Sequence, residues 1–408
     1  MRKILPLLLF LHISIFAFAQ QSFILSGTVK DNGGNPLPGA GVYISGYKIA
    51  TSTNENGTFS LNLKPGNYDV LVQMIGYKAT NTNVVLSDKD KNIQIKLEEN
   101  SVQLNEVTIK ADPNRLRYIK IFTDYFVGTT PNAQQCKILN PEILYVDYDE
   151  DEQALKVKTT DFLIIENRAL GYRIKYLVNN FEYNYKSRII YYEGYPYYED
   201  LKGSTGRLKK WAEKRLTAYQ GSSQHFFTSL YNEKATEEGF IIHKLSRIKN
   251  PEKPSDAVIT SKMKQFMPTD KNATIRIGHG NDSLSYWAGK KRMPESIAVL
   301  NRQLVTPDTL VHQYNNIFKY VNFTDVLYVI YTKEREDHTY GSLLNTSITR
   351  PLDIPDYQIS LINTLVSPIY FYQNGAPYNP RSMLFEGYWA WEKIADSVPM
   401  DYSPPKKQ

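Results

Sequence analysis

The chain has 408 residues, of which 42% are hydrophobic, 13% aromatic and 22% charged, with one Cys and a formal charge of +6. This much apolar and aromatic character excludes a disordered chain. The lone Cys excludes a disulfide-stapled scaffold, and the charged fraction excludes a bundle of membrane-spanning helices. At roughly 100–200 residues per domain the length predicts two or three domains, and 31 Tyr against 17 Phe and 4 Trp predict a strand-rich fold.

The chain opens with Met1-Arg2-Lys3, then an apolar stretch over 4–18 broken only by Pro6, His12 and Ser14, and the small-x-small site Ala17-Phe18-Ala19. That order predicts an export signal over 1–19. About 15 apolar residues fall short of the ~20 that span a bilayer. No Cys follows the stretch to carry a lipid, and no later run reaches spanning length, so a mature chain without a transmembrane segment is expected. Loss of Arg2 and Lys3 would lower the charge to +4. Lys and Arg are dispersed rather than clustered, which argues against a nucleic-acid partner. Cys136, without a second Cys to pair with, reads as a buried small hydrophobe.

From 23 to 97 short alternating segments are separated by turn residues, the pattern of a seven-stranded sandwich. Phe23, Leu25, Gly27 and Val29 share one face of a first strand; Phe59, Leu61 and Leu63 repeat the pattern, and Asp31-Asn32-Gly33-Gly34, Asn54-Glu55-Asn56-Gly57 and Pro65-Gly66 supply reversals. Five motifs occur in order: Gly27-Thr28-Val29-Lys30-Asp31, Pro36-Leu37-Pro38-Gly39-Ala40, Asn56-Gly57-Thr58-Phe59, Pro65-Gly66-Asn67-Tyr68 and Ile75-Gly76-Tyr77. Together they resemble the carboxypeptidase D regulatory-like domain, which implies a transthyretin-like (Ig-like) β-sandwich over 20–98. The next segment, Val102-Gln103-Leu104-Asn105-Glu106-Val107-Thr108-Ile109-Lys110-Ala111, resembles the join between this sandwich and the plug of TonB-dependent outer-membrane receptors. The ~300 residues beyond it are too few for a barrel of about 22 strands plus a plug, so 99–115 reads as a linker.

Residues 116–402 are expected to form a larger α+β domain, followed by a tail over 403–408. Residues 20–110 hold eight Lys and eight acidic residues, so the positive surplus lies beyond them. Strands are predicted at 143–146, 154–157, 162–165, 172–178, 181–185 and 189–192. At 203–219 the period changes: Leu208, Trp211, Ala212, Leu216 and Tyr219 form a helical stripe with Lys209, Lys210 and Lys214 opposite. Ser222 or Ser223 caps a second helix with Phe226, Phe227, Leu230 and Tyr231 inward. Another strand falls near 326–331. Glu166-Asn167-Arg168-Ala169-Leu170-Gly171-Tyr172, Glu193-Gly194-Tyr195-Pro196 and the stretches 211–231 and 387–402 resemble exported proteins that carry this sandwich ahead of an uncharacterised α+β region. The resemblance implies a periplasmic or outer-membrane-associated setting and transfers no catalytic motif.

The zinc ligands of a true carboxypeptidase, His-x-x-Glu with a distant His, do not occur, nor do His-Glu-x-x-His, Cys-x-x-Cys, Gly-x-Ser-x-Gly or a Walker A loop. No catalytic residue, cofactor site or metal site is therefore assigned. The run Asp147-Tyr148-Asp149-Glu150-Asp151-Glu152 has Glu152 and Lys158 where an EF-hand loop needs Gly and a carboxylate, and reads as a hairpin turn. The run 191–198 is the candidate partner surface, with Tyr192, Tyr195, Tyr197 and Tyr198 able to stack on sugars or anchor a protein. The expected function is a non-catalytic cell-envelope binding or assembly protein whose partner is another envelope protein or a glycan. The alternatives are an envelope hydrolase, with His225 or His243 as general base, and an accessory component of a TonB-dependent receptor system.

Overall fold

The structure is a computed structural model that describes residues 22–100, 113–267, 283–341 and 350–405. The predicted export signal and most of the predicted linker lie outside the described residues. The protein is mainly β, with a β-sandwich at its N-terminal end and helices interspersed among the later sheets.

Seven strands build the sandwich: β1 (Phe23–Lys30), β2 (Gly41–Ile44), β3 (Ala50–Ser52), β4 (Thr58–Leu63), β5 (Gly66–Gln73), β6 (Thr80–Leu86) and β7 (Lys91–Lys96). One sheet has the order β4-β1-β7 and the other β3-β2-β5-β6. All pairs are antiparallel except β1 with β7. Alternation does what it implies: Phe23, Leu25 and Val29 from β1 join Phe59, Leu61 and Leu63 from β4 in one core with Val42, Ile44, Val70, Val72 and Leu86. At the 54–57 turn the Asn54 side-chain oxygen accepts from Asn56 N, Thr58 N and Thr58 Oγ1, and Gly57 takes φ +68, so Asn serves as a turn acceptor.

Next come α1 (Arg115–Phe126), β8 (Cys136–Ile138), β9 (Tyr145–Asp149), β10 (Ala154–Lys158), β11 (Leu163–Asn167), β12 (Tyr172–Asn184) and β13 (Ile190–Asp200). The path β8-β11-β12-β10-β9 forms an antiparallel sheet, and β13 pairs along the free edge of β12. Residues 172–178 and 181–185, expected to be separate strands, are one 13-residue strand whose register shifts between Val178 and Asn180. The irregularity at Asn179 breaks the alternation of side chains. α1 covers this sheet with Phe122 and Phe126, which meet Phe181 and Tyr176 edge-on.

Helices α2 (Thr205–Tyr219) and α3 (Ser223–Tyr231) fall where helical periodicity placed them. Ser222 caps α3 by accepting from His225 N at 3.1 Å. The remainder comprises β14 (Phe240–Lys249), α4 (Asp256–Gln265), α5 (Ser283–Arg292), β15 (Ser296–Asn301), the single turn α6 (Pro307–Leu310), β16 (Val311–Gln313), β17 (Phe318–Val321), β18 (Val326–Arg335), β19 (Tyr357–Thr364), β20 (Ile369–Tyr372), β21 (Met383–Gly387) and α7 (Tyr388–Trp391). A five-stranded sheet, β15-β14-β18-β19-β21, and a three-stranded sheet, β16-β17-β20, enclose a core with the inner face of α3. Phe226, Phe227 and Leu230 fill it against Phe240, Val329, Ile362, Phe371 and Trp389.

The chain after α7 returns to the six-stranded sheet. Ala395 N donates to Val127 O, Asn167 Nδ2 donates to Ala395 O, and Asp396 accepts from Thr130 Oγ1 and Asn132 Nδ2 at 2.9–3.0 Å. Further on, Met400 N donates to Gly46 O of the sandwich at 2.8 Å. The same stretch of chain thus ties together elements that are remote in sequence.

Candidate functional site

The tyrosines singled out in the sequence lie on β13, and both faces of that strand are occupied by the chain itself. Tyr192 and Tyr198 point into the core of the six-stranded sheet. Tyr198 is 4% exposed and shares a 2.8 Å hydrogen bond with Ser397, and burial pushes both hydroxyls up to about 12. Tyr195 packs with Leu71, Phe162 and Leu177, while Tyr197 meets Tyr43 of the sandwich at 5.0 Å between centroids. Backbone bonds reinforce the junction, from Gly46 N to Pro196 O and from Tyr198 N to Tyr47 O. Of the four rings only Tyr198 is fully buried; Tyr192, Tyr195 and Tyr197 are half-buried against the chain's own residues, where β13 is the seam between sandwich and sheet.

The two histidines weighed as bases are also packed. His225 Nδ1 accepts from Gly221 N at 3.1 Å, which leaves the proton on Nε2, 3.7 Å from Glu238. Tyr219, Phe240 and Tyr331 surround the ring, and burial lowers it to about 4. Ser222, three residues before it, caps α3 and donates to Tyr219 O. His243 is buried with Nδ1 3.4 Å from Gln303 O. The acidic run 147–152 forms the β9–β10 turn. Asp149 there holds Lys156 and accepts from Glu152 N, and those two bonds keep its carboxyl below the usual range. Among the described residues no group of three or more His, Cys, Asp or Glu is placed to hold a metal. Cys136 is half-buried and its thiol is pushed up to about 12 by desolvation.

A different aromatic surface is open. On the outer face of the three-stranded sheet, register sets His312 opposite Tyr320 and Tyr320 opposite Tyr370. The rings run on as a chain: His312 to Tyr320 at 5.1 Å, Tyr320 to Tyr370 at 5.6 Å, Tyr370 to Tyr314 at 5.1 Å, Tyr314 to Phe318 at 6.4 Å and Phe318 to Tyr378 at 5.6 Å. Tyr314 and Tyr378 are 62% and 60% exposed. The inner residues of these strands, Val321, Ile369 and Phe371, fill the core, so strand alternation itself turns the aromatic row outward. Sequence reasoning missed this surface. The aromatic pairs at i, i+2 in 312–314, 318–320 and 370–372 were the signal available.

A second open feature is a cleft of about 900 Å³ between the β11–β12 turn, the end of β13 and α2. Arg168, Arg173, Lys202, Arg207, Lys210 and Lys214 line it together with Glu166 and Asp200. Trp211 is its inner wall, 6% exposed, with Nε1 donating to Arg168 O at 2.8 Å.

Residues 25–109 match the CarboxypepD_reg-like domain, so the N-terminal sandwich is a domain of that kind. Over 93 residues the chain is 38% identical to the TonB-dependent receptor SusC of Bacteroides thetaiotaomicron, a match covering 21% of this chain and 9% of the receptor. It is 26% identical over 145 residues to Structural protein 27 of a virus (isolate Australia/Victoria), covering 35% of this chain and 28% of that protein. Each match therefore spans well under half of the relative. Among solved structures, catechol 1,2-dioxygenase from Acinetobacter sp. ADP1 overlaps 20% of this chain and 53% of its own at 13% identity and TM-score 0.18. The Streptococcal ancillary pilin overlaps 19% and 32% at 18% identity and TM-score 0.17.

Proposed function

We propose that this protein is a non-catalytic, exported binding or assembly module of the cell envelope, and that it takes its partner on the outer face of the β16-β17-β20 sheet. The observation that carries this reading is the row of rings from His312 to Tyr378, in which His312, Tyr314 and Tyr378 are exposed and Phe318, Tyr320 and Tyr370 are half-buried. Aromatic faces give flat apolar contact while tyrosine hydroxyls supply polar edges, a pairing suited to the alternating C–H and O–H surfaces of a sugar ring. The sandwich serves as a fixed brace rather than a swinging arm, since Gly46, Tyr47 and Tyr43 are tied to β13 and to the returning chain near Met400. Among the described residues no helix is long and apolar enough to cross a membrane.

The test is retention of the whole protein on insoluble envelope polysaccharide, compared with the double variant Tyr314→Ala, Tyr378→Ala. Both residues are exposed, so the fold should survive, and retention should drop at least tenfold. Equal retention of variant and parent would refute the reading. The match of the sandwich to receptor SusC supports a second reading, an accessory of a TonB-dependent receptor system. It predicts co-purification of a barrel protein with the exported chain.

A further inference from the structure

We infer that the cleft beside α2 is a second binding site, for an acidic oligosaccharide with carboxylates spaced along its chain. Six cations and two carboxylates line it. The carboxylates are already engaged, Glu166 by Arg168 at 2.7 Å and Arg173 at 3.6 Å, and Asp200 by Arg215 at 2.8 Å and Lys48 at 3.2 Å. Among the described residues no carboxylate lies within 4 Å of Lys202, Arg207, Lys210 or Lys214. The cleft therefore carries about four positive charges in excess of its lining carboxylates, none of them in a close ion pair, with Asp337 outside the lining facing Lys214 at longer range.

Their arrangement selects the ligand's shape. Arg207, Lys210 and Lys214 stand at i, i+3 and i+7 on one face of α2, so they are spread over about 10 Å of helix. A single phosphate would engage one end of that row, whereas a chain with separated charges would engage all of it. The N-terminus of α2 adds to the positive field, because Ser204 makes no side-chain cap and no acid occupies the first turn. The walls argue against single-stranded nucleic acid, which needs exposed rings for base stacking. The sole aromatic lining residue is Trp211, and it is buried with its N–H committed to Arg168 O. A volume near 900 Å³ falls within the range of sites for small organic ligands and holds a few sugar units. This site is separate from the aromatic sheet face and does not depend on it.

Calorimetric titration of the full chain with tetragalacturonate tests the inference, with orthophosphate, neutral cellotetraose and pentaglutamate as comparison probes. Tetragalacturonate should bind at least tenfold more tightly than any of the three. Raising NaCl from 50 to 200 mM should weaken it about twenty- to fortyfold, as expected when roughly three charges are neutralised. The double variant Arg207→Glu, Lys210→Glu, altered only on the exposed face of α2, should abolish this binding and leave retention through Tyr314 and Tyr378 unchanged. Failure of tetragalacturonate to bind, equal binding of orthophosphate or pentaglutamate, or full binding by the charge-reversed variant would each overturn the inference. None of these results bears on the aromatic face, which the Tyr314, Tyr378 variant tests alone.

Discussion

The cleft depends on one glycine. Gly171, in the β11–β12 turn, has φ +72, and a Cβ there would lie 2.1 Å from Trp211 Cδ2, 2.5 Å from Cε3 and 2.6 Å from Cγ. Gly171→Ala therefore incurs two costs. Holding an L-residue in the left-handed region costs about 1–2 kcal/mol, and pushing a buried indole off its seat costs about 1–3 kcal/mol in overpacking. The indole cannot move without straining its bond to Arg168 O, a further ~1 kcal/mol. The expected loss is about 3–6 kcal/mol, read as a lower urea midpoint at unchanged slope. Gly206→Ala is the internal control. It sits in the first turns of α2 with nothing within 4 Å of the new methyl, and should gain up to about 1 kcal/mol. A Gly171→Ala loss below 1 kcal/mol would show that the turn and helix adjust freely, and the account of how α2 is seated would be wrong.

Other consequences can be checked directly. Asp396→Ala leaves Thr130 and Asn132 without their buried acceptor and should cost about 2–3 kcal/mol in urea denaturation. Burial raises the Glu334 carboxyl from 4.5 to about 7. Its folded form thus prefers the proton, and its contribution to stability is full below pH 4.5 and lost as pH rises through 7. Glu334→Gln should accordingly raise Tm relative to the parent at pH 8 and lose that advantage at pH 4.5, and equal Tm differences at both pH values would contradict this. Cys136, half-buried with its thiol raised to about 12, should react with a disulfide reagent at least tenfold more slowly in the native protein than in urea.

What could be read ahead of the structure followed local chemistry. The sandwich strands showed period-2 alternation and Gly- or Asn-bearing turns, and α3 its stripe and the Ser222 cap; α2 was placed correctly, but of its stripe Leu208 and Ala212 are exposed and Trp211 and Tyr219 are buried. Helix α1 did not, because Arg115–Phe126 is rich in Tyr, Ile, Phe and Thr, residues with no strong helical preference, and packing of Phe122 and Phe126 decides its state. The tyrosine run 191–198 looked like a surface because its burial comes from Tyr43 and Leu71, more than a hundred residues away. The aromatic row draws on β16, β17 and β20, whose adjacency no local window displays. The cleft was half-legible: the positive surplus beyond residue 110 and the lysines opposite the α2 stripe were visible, but not the arginines of the β11–β12 turn that face them.

The return of the chain after α7 has a kinetic meaning. Thr130 meets Asp396 across 266 residues of sequence. Closing a loop of that length costs about 5 kcal/mol of chain entropy, by logarithmic scaling, before any contact repays it. The core of the six-stranded sheet, which includes Ile394, Ala395 and Val398, is completed only when that loop closes. Contacts this remote in sequence are slow to form, so the last folding step should be the docking of residues 393–402, and until then the edges of Tyr198 and Asn167 stand open to misassociation.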